Sequence, residues 1–141
     1  MKIVLCSDHA GFNLKQSLKK WLTLQHEVLD AGADVLEKLD SYVTYAKKAN
    51  KLVTQNQCLG IYICGSGVGM SIVANRQNGI RAAVCYDKHI ANLAKKHNNI
   101  NVLCLGANFV DYENAKQIVS TFLQTDFEGG RHKCRVEDID K

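Results

Sequence analysis

Short apolar runs alternate with longer amphipathic segments from one end of this chain to the other, and that alternation leaves few folds open. Lys2 to Cys6 is a short β-rich run, and Asn13 to Leu24 follows with Leu14, Leu18, Trp21 and Leu22 at helical spacing. His26 to Leu29 reads as a second strand, Tyr42 to Thr54 as a second helix and Leu59 to Cys64 as a third strand, after which a helix starts near Gly69. Ile80 to Cys85, Lys88 to Lys96, Asn101 to Leu105 and Glu113 to Leu123 continue the pattern as strand, helix, strand and helix.

Strands that are apolar almost throughout, each followed by a helix, belong to a parallel sheet covered on both faces. The right-handed crossover rule then makes a doubly wound five-stranded parallel sheet, a three-layer Rossmann-like α/β sandwich, the simplest topology. Thr125 to Lys141 is too charged for a sixth buried strand. It carries Gly129, Gly130, Arg131 and Arg135 and reads as a C-terminal basic extension. Residues 1–124 are thus expected to form the α/β domain, and 125–141 an extension of it that reaches a partner subunit.

With 141 residues, 46% of them hydrophobic and 23% charged, the chain has the length of one domain and enough apolar material for a core. Its 18 Lys and Arg against 14 Asp and Glu leave a mild net charge of +4, and Lys47, Lys48 and Lys51 suit a solvated helix face. Nucleic acid is not an expected partner. No segment approaches the ~20 apolar residues of a membrane helix, and Cys6, Ser7 and Asp8 follow the first apolar run too soon for a signal peptide. A cytoplasmic location is expected. The six cysteines form no C-x-x-C pair and no Cys/His cluster at zinc spacing, so no metal is expected, and Cys6, Cys85 and Cys104 read as buried small hydrophobes.

Ligands of open α/β sheets bind outside the carboxyl ends of the strands. The residues there are polar in this chain: Ser7, Asp8 and His9 after the first strand, Cys64 to Gly69 after the third, Tyr86 and Asp87 after the fourth, and Gly106, Ala107 and Asn108 after the fifth. The richest stretch is Cys64-Gly65-Ser66-Gly67-Val68-Gly69-Met70-Ser71, a glycine turn that exposes N–H groups as a helix begins. It is not a dinucleotide fingerprint, because the third glycine would fall on Met70 or Ile72. It lacks the Lys of a phosphate-binding Walker loop, and it lacks the Arg that a cysteine phosphatase would need at position 70. What remains is a thiol beside an oxyanion-binding loop. Such N–H groups and the positive end of a helix favour a thiolate, which can serve as nucleophile or base, and can hold a developing enediolate.

Three further groups are candidates with structural alternatives. Asp8 and His9 stand opposite the glycine loop, or serve only as a helix cap and a surface His. His97 and Asn98 end the fourth helix, where a basic residue and an Asn also suit a helix terminus. Arg131 and Arg135, four apart with His132 between, share a face if the tail is helical, and guanidinium forks suit phosphate oxygens.

Together these residues suggest a family. Ser7-Asp8-His9-Ala10-Gly11, the loop Ile63 to Ile72 with Ala74-Asn75, the pair His97-Asn98, and Phe127-Glu128-Gly129-Gly130-Arg131-His132 with Arg135 resemble type B ribose-5-phosphate isomerase and its relatives, the galactose-6-phosphate isomerase subunits. The resemblance runs nearly end to end. It implies cofactor-free aldose–ketose isomerisation of a sugar phosphate in homodimers or tetramers with sites shared between subunits. It implies Cys64 as the base moving a proton between C1 and C2, with Gly65, Gly67, Val68, Gly69 and Ser71 around the enediolate, and His97 with Ser66 assisting ring opening. Asp8 is implied at the reacting hydroxyls, Asn98 at the sugar, and His9, Arg131 and Arg135 at the phosphate.

The chain departs from the pattern at three places. Asn108 stands where an Arg commonly supplies a further phosphate contact, and Ser66 where a Thr is frequent. Ser41-Tyr42-Val43 replaces an Asp-Tyr-Pro, with Asp40 one place early and its role open. A pentose phosphate is the favoured substrate, because some galactose-6-phosphate isomerase subunits lack the thiol or the basic tail and this chain has both. The alternative from another class is a non-catalytic nucleotide-binding module.

Overall fold

The computed structural model describes residues 1–141. Its strands are β1 (Lys2–Ser7), β2 (Glu27–Asp30), β3 (Leu59–Cys64), β4 (Ala82–Val84) and β5 (Val102–Gly106). The helices are α1 (Phe12–Leu22), α2 (Tyr42–Asn56), α3 (Val68–Ala74), α4 (Lys88–Asn98), α5 (Tyr112–Gln124) and α6 (Lys133–Asp138), the last preceded by a 3-10 turn over Gly130–His132. All five strands are parallel, in the order β2-β1-β3-β5-β4. The doubly wound five-stranded sheet expected from the alternation is therefore the architecture, and the charged tail folds into helix. No helix is long and apolar enough to cross a membrane.

Side-chain alternation along the central strands divides the core in two. Ile3, Leu5, Ile61, Ile63, Leu103 and Leu105 face one side, with Leu18, Ile118 and Phe122. Val4, Cys6, Tyr62, Cys64, Val102 and Cys104 face the other, with Ala46, Val53 and Met70. Both faces being covered explains why these strands carry no polar alternation. Cys6, Cys85 and Cys104 are fully buried free thiols, and burial pushes Cys85 up to about 12 and the other two well above the usual thiol range.

Edge strand β4 is shorter than the apolar run Ile80 to Cys85. At its start the Arg81 N–H donates to the Asn101 side chain, and Asn75 brackets Ala82 on the outer edge, its amide donating to Ala82 O (2.9 Å) and its carbonyl accepting from Ala82 N–H (2.8 Å). The Asn75 side chain thus replaces a neighbouring strand and blunts the sheet edge.

Lys15, on α1, is fully buried. It donates to Asp30 Oδ1 (2.7 Å) and to Ala33 O (2.6 Å), while Lys19 donates to Asp30 Oδ2 (2.8 Å). This network anchors the start of the segment between β2 and α2, which carries Asp40.

Candidate active site

Parallel pairing places the ends of β1, β3 and β5 side by side. Ser7 pairs with Ile63 and Cys64 with Gly106, so Asp8 emerges beside Cys64, and Asp8 N–H donates to Ile63 O (3.3 Å). The glycine loop folds back over this edge. Gly67 adopts φ +82°, a left-handed conformation that favours glycine, and in that turn its N–H donates to Cys64 Sγ at 3.1 Å. At Gly69 a Cβ would come within 2.7 Å of the Tyr42 ring, so only a glycine lets that ring close on the loop. Tyr86, after β4, donates its phenol to Ser66 O (2.6 Å), and Phe109 stacks on Tyr86 with ring centroids 5.2 Å apart. Asn108 lies against Gly65, its N–H donating to Gly65 O (3.0 Å). Ser66 Oγ accepts from Val68 N–H (3.2 Å), and Ser71 Oγ donates to Val68 O (2.8 Å).

Cys64 is 4% exposed and Asp8 5%. Burial raises the Asp8 carboxyl above its ordinary range, although it accepts from Gly11 N–H (3.1 Å) and His9 lies beside it. Asp8 is not the cap of α1, whose N-cap is Gly11 without a side-chain hydrogen bond; its carboxylate braces the turn before the helix and stays at the sheet mouth.

Asp40 was not among the residues that motif reasoning placed in the site. Its Oδ1 accepts from the His9 backbone N–H (3.0 Å) and lies 2.7 Å from His9 Nδ1. One ligand-type atom each of Asp8, His9 and Asp40 lies within 4.8 Å of the others. The Nδ1–Oδ1 separation is that of a proton-sharing pair, shorter than two ligands held ~2.0–2.1 Å from one metal ion would leave. No local signal could have found this contact, because it closes 31 residues of chain.

The remaining candidates lie elsewhere. Helix α4 descends from Asp87, at the carboxyl end of β4, and delivers His97 and Asn98 to the opposite sheet edge, where Arg81 Nε donates to Asn99 O (2.8 Å) and β5 begins. The tail docks there too: Glu128 N–H donates to Lys96 O (3.0 Å), and the His132 ring stacks on His97 with centroids 4.3 Å apart. Arg131 and Arg135 flank His132 in the continuous 3-10 and α6 turn. One chain therefore holds two half-sites, separated by strands that span ~17 Å. Asp8, His9, Cys64, Ser66, Ser71 and Asn108 form the first, while His97, Asn98, Arg131 and Arg135 form the second.

Residues 3–139 match the model of the Ribose/Galactose Isomerase family. A probable ribose-5-phosphate isomerase B of Mycoplasma pneumoniae is 45% identical over 139 residues, covering 97% of this chain and 91% of the relative. The ribose-5-phosphate isomerase B of Escherichia coli is 44% identical, covering 98% and 93%. Among solved structures, a ribose 5-phosphate isomerase of Thermotoga maritima superposes with a TM-score of 0.94 at 47% identity, covering 99% of this chain and 97% of that one. A ribose-5-phosphate isomerase B of Mycoplasma genitalium with bound ribulose-5-phosphate gives 0.94 at 40% identity, covering 98% and 93%. With the family model matched over residues 3–139 and the whole fold superposing on solved members, the chain belongs to the ribose/galactose isomerase family.

Proposed function

We propose that the protein interconverts ribose 5-phosphate and ribulose 5-phosphate through an enediolate, without a cofactor, with the Cys64 thiolate as the base. The observation that carries this reading is the Gly67 N–H directed at Cys64 Sγ beside the buried Asp8. A hydrogen bond to sulfur favours the thiolate, and a thiolate can both take and return a proton, as a reversible reaction requires. In the open-chain aldose, Cys64 takes the C2 proton, the C2–H electron pair becomes the C1–C2 double bond, and O1 gains a proton. Return of the thiol proton to C1, with loss of the O2 proton, yields the ketose. Asp8, buried beside Cys64, suits the transfer of those hydroxyl protons, Ser66 suits the preceding ring opening, and the remaining N–H groups of the glycine loop suit the enediolate oxygens. His9, at the same edge, suits one end of the phosphate.

His97, Asn98, Arg131 and Arg135 reach the same substrate only from a second copy, because their own chain carries them to the far edge of the sheet. This supports a homodimer, or a tetramer of such dimers, in which the tail of one protomer completes the loop site of its partner. Exposed Val68, Ile72, Tyr42 and Phe109 around the loop are apolar surface of the kind that such a contact covers.

The test is Cys64→Ala with ribose 5-phosphate in deuterated buffer. The unaltered protein is expected to exchange the C2 proton and to form ribulose 5-phosphate at a rate indifferent to chelator. The variant is expected to lose exchange, and undiminished exchange would remove Cys64 as the base. Faster turnover on a six-carbon aldose phosphate than on the pentose would redirect the reading to the galactose branch of the family.

A further inference from the structure

We propose that Asp40 is a positioning residue for His9, fixing its ring so that Nε2 presents a proton to the phosphate of the substrate. The inference rests on the reading above, in which His9 meets that phosphate.

Asp40 Oδ1 receives two contacts from one residue, the His9 backbone N–H at 3.0 Å and the ring Nδ1 at 2.7 Å. A carboxylate oxygen only accepts, so Nδ1 carries a proton and Nε2 is the free corner of the ring. The two contacts together set both the place of the residue and the rotation of its side chain. The His9 side chain is 37% exposed and that of Asp40 only 5% exposed, so the pair is open on the His9 side alone.

The second oxygen of Asp40, Oδ2, is buried and has no hydrogen-bond donor within 3.5 Å. A buried carboxylate that is half satisfied needs a compensating charge. The groups around it are Asp8, which is acidic, Tyr45, whose phenol is pushed up by burial, by the Asp40 charge and by a hydrogen-bonding contact with that carboxylate, and His9. His9 is the group of these that can supply a positive charge. An imidazolium held at Nδ1 by a carboxylate offers N–H at Nε2, which a phosphate dianion accepts, whereas the neutral form with the same Nδ1 proton would turn a lone pair toward the anion.

The position of Asp40 is built from both sides. Lys15 ties Ala33, at the near end of the segment, to Asp30. Ser41, the next residue, caps α2 by accepting from Val43 N–H (3.3 Å), and Asp40 N–H closes a turn on Glu37 O (3.2 Å). The early placement of the acid relative to an Asp-Tyr-Pro pattern thus leaves Ser41 to cap the helix and sends Asp40 to His9.

The experiment measures Asp40→Asn and Asp40→Ala against His9→Gln and the Asp40→Asn/His9→Gln double variant, using ribose 5-phosphate turnover and inhibition by inorganic phosphate. Asp40→Asn is expected to raise KM and the phosphate inhibition constant by about tenfold, with the smaller part of the effect on kcat. The double variant should then be no worse than His9→Gln alone. The ring 15N resonances of His9 should show a proton at Nδ1 in the unaltered protein and lose that signature in Asp40→Ala. Unchanged KM and phosphate inhibition in a protein that isomerises normally, or an additive double variant, would overturn the proposal. The 15N measurement covers the case of a poorly active variant, since a bare Nδ1 in the unaltered protein also overturns it. Absence of isomerase activity in the unaltered protein with the Nδ1 signature present would instead count against the parent reading.

Discussion

His132 lies flat against His97, their ring centroids 4.3 Å apart and their planes within 14°. A side chain from the basic tail therefore covers the imidazole at the end of α4, and only 7% of His132 is exposed. Its Nε2 is buried without a hydrogen-bond partner. Burial first, then His97 and Arg131, hold His132 below the ordinary imidazole range, with Glu128 opposing and Arg135 adding to the effect.

This gives the tail a pH dependence of known sign. The folded tail prefers neutral His132, so the unfolded tail takes the proton first as pH falls. The contribution to stability is complete above the unfolded value of ~6.5 and is lost as pH drops from there through the lower folded value. Amide exchange over residues 130–138, corrected for its intrinsic rate, should be faster at pH 5 than at pH 7.5. His132→Phe, which keeps the stack and removes the titration, should flatten that difference, and equal protection at both pH values would contradict it.

Separation of the two half-sites leads to a mixing experiment. Cys64→Ala and His97→Ala should each be nearly inactive. Unfolded together and refolded at equal concentration, they should regain about a quarter of full activity, since about half the dimers are mixed and each mixed dimer has one intact site. No recovery from variants that both fold and assemble would place the complete site within one chain.

Gly67 supports Cys64 through a conformation that other residues adopt at a cost. In Gly67→Ala the new Cβ would sit 3.0 Å from the Leu105 carbonyl carbon at φ +82°. The strain is ~1–2 kcal/mol, and relief requires the turn to move its N–H away from sulfur. Thermal unfolding should show this modest loss, while C2 proton exchange should fall by a larger factor than stability accounts for. Exchange at the unaltered rate would detach the Gly67 hydrogen bond from catalysis.

Lys15 is the most costly charge to unpair. Lys15→Ala leaves Asp30 and Ala33 O without their buried donor and should destabilise by about 3–5 kcal/mol in urea unfolding, while Lys19→Ala, at a half-exposed position, should cost much less. Burial alone would raise Asp30, but hydrogen bonds from Lys15, Lys19 and the Gly32 N–H outweigh it and hold the carboxyl below its usual range. The stability this supplies is present above the unfolded value of ~3.9 and lost as pH falls through the lower folded one. The acid limb of the unfolding curve should therefore become shallower in Lys15→Ala.

Local pattern in the amino-acid sequence determined the element order, the five parallel strands and the concentration of polar residues at their carboxyl ends. Each of these depends on side-chain period and on backbone hydrogen-bonding needs that act within a few residues. Asp8, Cys64 and the loop to Ser71 were legible for the same reason, since a strand end, a glycine turn and a helix start are adjacent in the chain. The tertiary structure decided what joins distant segments. Nothing near Asp40 points to His9, nothing near Lys15 marks it as buried among its polar neighbours on α1, and the crossover that puts β5 between β3 and β4 has no local signal. The same holds for His97 and the tail. Their motif is plain in the sequence, but the direction of α4 carries them to the sheet edge opposite Cys64, because a helix that returns from the end of one parallel strand must finish where the next one begins.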